Sequence, residues 1–314
     1  MNRVGFVLKS RGWRNTVERA VSVGQRFGLR QAPYVEHLTH FAHCMQEVDA
    51  RPSFPISTTL LERYPELAGC LKSLPADFLS HGHTHVNYTR IPRHEQQRLI
   101  QKSREILSQG GFDVSGFRAP YLHWDSDLIQ TLAQNKFQFD SSAIAWWPLE
   151  QFISLTPMQK DAYEKARQFY EPYLNPAKHP AIPYFHENGV LEIPVTLPDD
   201  EILIDRLGIT NPAACGQVWL GILEKTHQAE GLFNLQLHPE RIFVMEEALE
   251  RLLQTVRSKF PDIWLTHLPE INRWWRQKSP LRAAPWPDGY RSALCVTGDI
   301  DCVTLQDFLW RFIE

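Results

Sequence analysis

Asp77-Phe78-Leu79-Ser80-His81-Gly82-His83-Thr84-His85 is the stretch on which the reading of the fold turns. Its first four residues read as a short strand, and the three imidazoles that follow lie where that strand ends. His81 and His85, spaced His-x-x-x-His, present two ring nitrogens about one helical turn apart or on one side of a tight loop, so both can reach one metal ion. An exposed polar turn is the alternative reading of the isolated motif. The rest of the chain decides whether a third ligand, a base and an acid accompany it.

Working outward, Ser53 to Thr58 reads as a strand and Thr59 to Lys72 as the helix after it, so strand, helix and strand form a parallel βα unit. In such units ligands gather at the C-terminal ends of strands, which is where His81 falls. Upstream, helices are expected over 14–27 and 33–48, the second from the spacing of Val35, Leu38, Phe41, Ala42 and Met45. Downstream, a helix over 93–109 stops at Gly110-Gly111, and a strand carries Gly116 into the loop Arg118-Ala119-Pro120-Tyr121. A helix over 125–135 and a strand over 137–142 follow. Residues 146–188 weaken into a proline-punctuated insertion with one helix over 157–170. Regularity resumes with a strand over 190–195, a helix over 213–227, and the strand Phe233 to Leu237, which ends on His238-Pro239. A helix over 243–258 and a strand over 263–265 precede a linker-like stretch at 280–289. Ser292 to Val296 then runs as a strand into Thr297-Gly298-Asp299-Ile300-Asp301, with a helix over 304–313.

The 314 residues allow one or two domains, and a single decorated α/β barrel fits. With 33 basic and 36 acidic residues the net charge is −3, which gives no electrostatic reason to expect nucleic acid or an anionic membrane surface. Five scattered cysteines without CxxC spacing indicate neither a disulfide framework nor a thiolate zinc site. The apolar run in residues 1–9 is too short for a signal peptide and no window approaches a transmembrane span, so a cytoplasmic protein is expected.

Four strand ends therefore carry reactive side chains: His81 with His85, Arg118 with Tyr121, His238, and Asp299 with Asp301. Together, from about residue 40 to 310, they resemble the polysaccharide deacetylase family, carbohydrate esterase family 4 in kind, with NodB homology. The Asp-x-Asp and His-Gly-x-x-His variants look closest to its peptidoglycan-deacetylase-like and allantoinase-like branch. The resemblance implies a distorted seven- or eight-stranded (β/α) barrel, one domain over 1–314 with a loop insertion at about 146–188. In the family the Asp pair precedes the histidines, whereas here it follows them by more than two hundred residues. A circular permutation is therefore expected, with the metal-binding Asp strand at the C-terminus; an unrelated tail is the alternative.

The resemblance implies a divalent metal, zinc in the first instance, held by His81, His85 and Asp301, with a coordination position left open as in catalytic sites. His83 stands as the alternative to either histidine and is otherwise read as lying beside the site or at the surface. Asp299 becomes the general base, Arg118 the partner that orients it and keeps it ionised, His238 the acid for the leaving amine, and the Tyr121 N–H an oxyanion donor. The implied reaction is hydrolysis of an N-acetyl group of an amino sugar by metal-activated water. The alternatives are an allantoinase-like hydrolase of a non-sugar amide and a non-catalytic carbohydrate-binding barrel. The expected partner is an N-acetylated sugar, and a homo-oligomer is compatible with the sequence. Asp140 with Trp146-Trp147 is the nearest candidate for an acetate pocket, Pro198-Asp199-Asp200 reads as a turn or a sugar contact, and Trp274-Trp275 as packing.

Overall fold

The computed structural model describes residues 24, 26–112, 114–175, 181–277 and 285–310. One curled sheet runs through it: β1 Ser53–Ile56, β2 Asp77–Ser80, β3 Gly116–Phe117, β4 Phe139–Asp140, β5 Ile144–Trp146, β6 Tyr184–Phe185, β7 Leu191–Glu192, β8 Val195–Leu197, β9 Leu232–Leu237, β10 Ile263–Thr266 and β11 Ser292–Gly298. The helices are α1 Ala32–Gln46, α2 Thr59–Arg63, α3 Leu67–Lys72, α4 Arg93–Gln109, α5 Ser126–Gln134, α6 Pro157–Tyr170, α7 Pro212–Gln228, α8 Ile242–Lys259, α9 Leu268–Gln277 and α10 Leu305–Trp310.

Every strand pairing is parallel except that of β6 with β7. β4 and β5 are successive pieces of one bent strand, as are β7 and β8, and the pieces pair β4 with β7 and β5 with β8. Followed through those bends, the order β1, β2, β3, β4/β5, β7/β8, β9, β11 returns to β1, which makes a distorted (β/α) barrel. The expected barrel is therefore present. β10 covers the N-terminal half of β11 on the edge whose C-terminal half meets β1.

Parallel strands sheathed by helices are buried on both faces, and β1, β9 and β11 are buried at every position. Along β9 the alternation sorts the two faces: Phe233, Leu235 and Leu237 join the apolar layer under α7 and α8. Asn234 and Gln236 turn the other way, onto Ser141 and Asp299. The barrel interior is thus polar at the end where the strands finish.

The helices expected over 33–48, 93–109, 125–135, 157–170, 213–227 and 243–258 are present within one or two residues at each end. The run 59–72 instead breaks into α2 and α3, because Tyr64 precedes Pro65 and leaves the helical region at φ −131, ψ 75. The strands expected at 137–142 and 190–195 are interrupted where β4 bends into β5 and β7 into β8. The hairpin strand β6 was not expected from the sequence, and α9 was expected only as a helical context for Trp274-Trp275. The N-terminal run 1–9, all but the end of the helix 14–27, residues 176–180 of the insertion, 280–284 of the linker-like stretch and 311–313 of the last helix lie outside the described residues. Among the described residues no helix is long and apolar enough to cross a membrane.

Candidate metal and catalytic centre

β2 ends at Ser80, and the His81 amide continues its ladder by donating to Ile56 O at 2.9 Å. Gly82 then turns the chain at φ +78, where a Cβ would collide with the Tyr88 hydroxyl, which accepts from the His83 amide at 2.9 Å. His81 Nδ1 lies 2.8 Å from the Arg118 carbonyl oxygen, which only accepts, so Nδ1 carries the proton and Nε2 is left as the open position. That Nε2 faces Asp301 Oδ1 at 3.2 Å, and His85 Nε2 faces Asp301 Oδ2 at 3.3 Å. Ligand atoms of the three residues lie within 4.8 Å of one another.

A neutral His81 brings a lone pair against a carboxylate oxygen, which is repulsive unless a proton or a cation lies between them. Two imidazoles and a carboxylate make a donor set that a divalent transition metal satisfies while keeping a position open, so these residues fit such an ion.

β11 lies between β9 and β1, and its end delivers Asp299 and Asp301 beside β2. Asp299 Oδ1 accepts from Arg118 Nη1 at 2.7 Å, and its Oδ2 accepts from Gln236 Nε2 at 3.0 Å. Arg118 is fully buried; it also donates to Thr297 Oγ1 at 2.8 Å and, through Nε and Nη2, to Ser141 O and Oγ, both at 3.0 Å. The guanidinium is therefore locked by four acceptors around one carboxylate.

After Arg118, Pro120 leads into Tyr121, held at φ 61, ψ 9. The Tyr121 ring packs edge-on against His85 at 4.6 Å and stays 40% exposed. Beyond it His123 stacks on Tyr173 at 3.9 Å and meets Phe169 at 4.8 Å, an aromatic wall built partly from the insertion.

His238 follows β9 one step past the register pair Leu237↔Gly298, level with the start of the Asp299 loop. Its backbone N–H donates to Asp200 Oδ2 at 2.8 Å and its Nδ1–H to Asp200 Oδ1 at 2.7 Å. Burial opposes the imidazolium, but the charge of Asp200 outweighs it and raises the His238 pKa to about 10. Burial likewise pushes against the Asp200 carboxylate, yet His238 and Arg241 hold it below its ordinary range. Burial and the charge of Asp200 lift the neighbouring Asp199 to about 7.

The structure thus brings His81, His85 and Asp301 together, sets Asp299 on Arg118 beside them, and places His238 and Tyr121 at adjoining strand ends. His83 turns away: its Nδ1 is 3.2 Å from Thr58 Oγ1 and its Nε2 is 3.4 Å from Glu62. Burial, then the charge of Lys102, lowers its pKa to about 4. Asp200, read as a turn or sugar contact, is instead fully buried and holds His238. A carboxylate beside a proline reads as a turn, and only the strand pairing shows what it faces. The acetate-pocket candidate does not assemble: Asp140 is buried opposite Glu192 in the β4–β7 register, Trp146 stacks on Tyr163 at 4.9 Å, and Trp147 belongs to the apolar core. Trp275 packs on Trp286 at 5.5 Å and Trp274 Nε1 donates to Pro285 O, as expected of packing residues.

Residues 31–139 match the family model described as polysaccharide deacetylase. No curated protein matches the chain. Among solved structures, a polysaccharide deacetylase, so described, from Mycobacterium smegmatis superposes with a TM-score of 0.59 at 19% identity, covering 81% of each chain. One from Pseudomonas aeruginosa PAO1 gives 0.59 at 16% identity over 79% of this chain and 74% of that one. The allantoinase Puue gives 0.58 at 14% identity over 78% and 74%. At these identities the structures speak for the fold alone. Residues 31–139 thus carry the polysaccharide deacetylase signature, on a chain whose barrel is the fold that solved polysaccharide deacetylases share.

Proposed function

We propose that this chain is a metal-dependent amide hydrolase that removes an N-acetyl group from an amino sugar. The observation that carries the proposal is the meeting of the His81–His85–Asp301 cluster with the Asp299–Arg118 pair, the histidines and the aspartates lying more than two hundred residues apart in the chain. His81, His85 and Asp301 would hold a divalent ion, zinc in the first instance, which when bound acidifies water and polarises an acyl oxygen.

The remaining work falls to this chain's own groups. Asp299, held by Arg118 and Gln236, takes the proton of the attacking water at the oxygen that faces the cluster. His238, charged at neutral pH by Asp200, has its Nδ1–H committed to that carboxylate and gives its Nε2 proton to the leaving nitrogen. The Tyr121 backbone N–H supplies a donor for the oxyanion, in a loop fixed by Pro120. The exposed Tyr121 ring and the aromatic wall behind it offer a flat face suited to a sugar ring.

Within this proposal the described barrel is one domain, and the order of its motifs is a circular permutation of the family's. A cytoplasmic location belongs to the same proposal, since five scattered cysteines without CxxC spacing suit a reducing compartment. The allantoinase likeness, as strong in fold as the deacetylase ones, makes ureide hydrolysis the second reading. The test is a screen of the metal-loaded protein on monomeric, nucleotide-linked and lipid-linked N-acetyl amino sugars, with allantoin alongside. Acetate release is expected; allantoate formation without acetate would support the second reading, and turnover of neither class would overturn both.

A further inference from the structure

A second convergence of ligand-type side chains lies outside the barrel, between α1 and α8. His40 and Cys44 stand one turn apart on α1, and Glu246 reaches them from the start of α8. His40 Nε2 is 2.7 Å from Glu246 Oε1 and 3.9 Å from Cys44 Sγ, and the three ligand atoms all lie within 4.8 Å of one another. The imidazole and the carboxylate are each 34% exposed while Cys44 is buried, so the thiol forms the floor of a site open to solvent.

We propose that His40, Cys44 and Glu246 form a second transition-metal site, suited to zinc, that ties α1 to α8 and is independent of the His81–His85–Asp301 cluster. Nitrogen, sulfur and oxygen ligands together suit a borderline-soft ion that accepts tetrahedral geometry, with water in the remaining position. Bond lengths of that kind put ligand nitrogen and sulfur about 3.5 Å apart and nitrogen and oxygen about 3.3 Å apart. Side-chain movements of roughly half an ångström convert the observed separations into these. Glu250 and Glu47 lie close enough to act on the thiol and add negative potential around the site. The ring of Phe243, 5.2 Å from that of His40, walls one side. When the ion binds, the Cys44 S–H bond breaks, a sulfur–metal bond forms and the proton leaves to solvent, so affinity rises with pH. Without an ion the same residues reduce to a His40–Glu246 pair over a thiol that burial raises to about 11.

The test is a cobalt(II) titration of the full chain after chelator treatment, reading the near-ultraviolet thiolate-to-cobalt charge-transfer band. The wild type should show the band, C44S should lose it, E246Q should bind at least about tenfold more weakly, and D301N should keep it. Zinc should raise the melting temperature of the wild type more than that of C44S. Cys302 directly follows Asp301. A band that survives C44S but disappears in C302S would therefore move thiolate ligation to the other cluster and overturn the proposal. So would a wild type without the band, or E246Q with undiminished cobalt affinity.

Discussion

Asp200 acts on this site through His238: two hydrogen bonds and one buried charge outweigh the effect of burial on the imidazole. Asp200→Asn keeps the shape and removes the charge that outweighs burial, so the His238 pKa falls well below its wild-type value of about 10. The alkaline limb of the kcat/KM–pH profile should then move to lower pH by at least about two units; a limb that stays put would remove His238 as the acid. The pair also carries a stability signature. A histidine raised from 6.5 to about 10 stabilises the fold fully below pH 6.5 and loses that contribution as pH rises towards 10. Asp200, held below its ordinary 3.8, contributes above that value and loses its share on acidification. Urea midpoints measured across this range should therefore decline on both sides in the wild type and flatten in Asp200→Asn. At Asp299, replacement by Asn should keep the metal cluster and lower turnover by about a hundredfold or more, and a wild-type rate would reassign the base. The residues of this site were legible where a motif names them. Arg118 and His238 sit in short, recognisable strings, whereas Asp200 and Gln236 act only through neighbours that strand pairing supplies.

At the level of elements, β11 does the most for the site and was the hardest to place from sequence. Its seven residues looked like one more βα unit after a linker, yet it is paired with β9, β10 and β1 at once. Removing the chain from Ser292 onward therefore takes out a central strand. The truncated protein should lose cooperative thermal unfolding altogether, and a retained sharp transition would contradict the strand's central position. A milder test is Gly298→Ala at its end. A Cβ there would lie 2.8 Å from the Phe54 ring and 3.0 Å from Phe41, so the change should cost about 1–3 kcal/mol by denaturant midpoint. The helices were legible because amphipathic spacing survives in α4 and α8. Bends such as those between β4 and β5 were not, since two short strands and one interrupted strand read alike. There Glu192 Oε1 accepts from the Ser142 and Ala143 amides at 3.0 and 2.9 Å, a stitch that no local pattern announces.

For the molecule as a whole, barrel closure turns two distant segments into one centre. His81 and His85 end the second strand of the chain and Asp301 follows the last, and they meet because β1 alone separates those strands. Hydrolysis should therefore depend on both segments and on a metal together. The most direct measurement is acetate release from an N-acetyl amino sugar by the full chain after chelation, with and without zinc returned, in the wild type and in Asp301→Ala. The expected result is activity lost on chelation, recovered with zinc in the wild type, and recovered by neither treatment in Asp301→Ala. Acetate release that persists after chelation, or at the wild-type rate in Asp301→Ala, would contradict it.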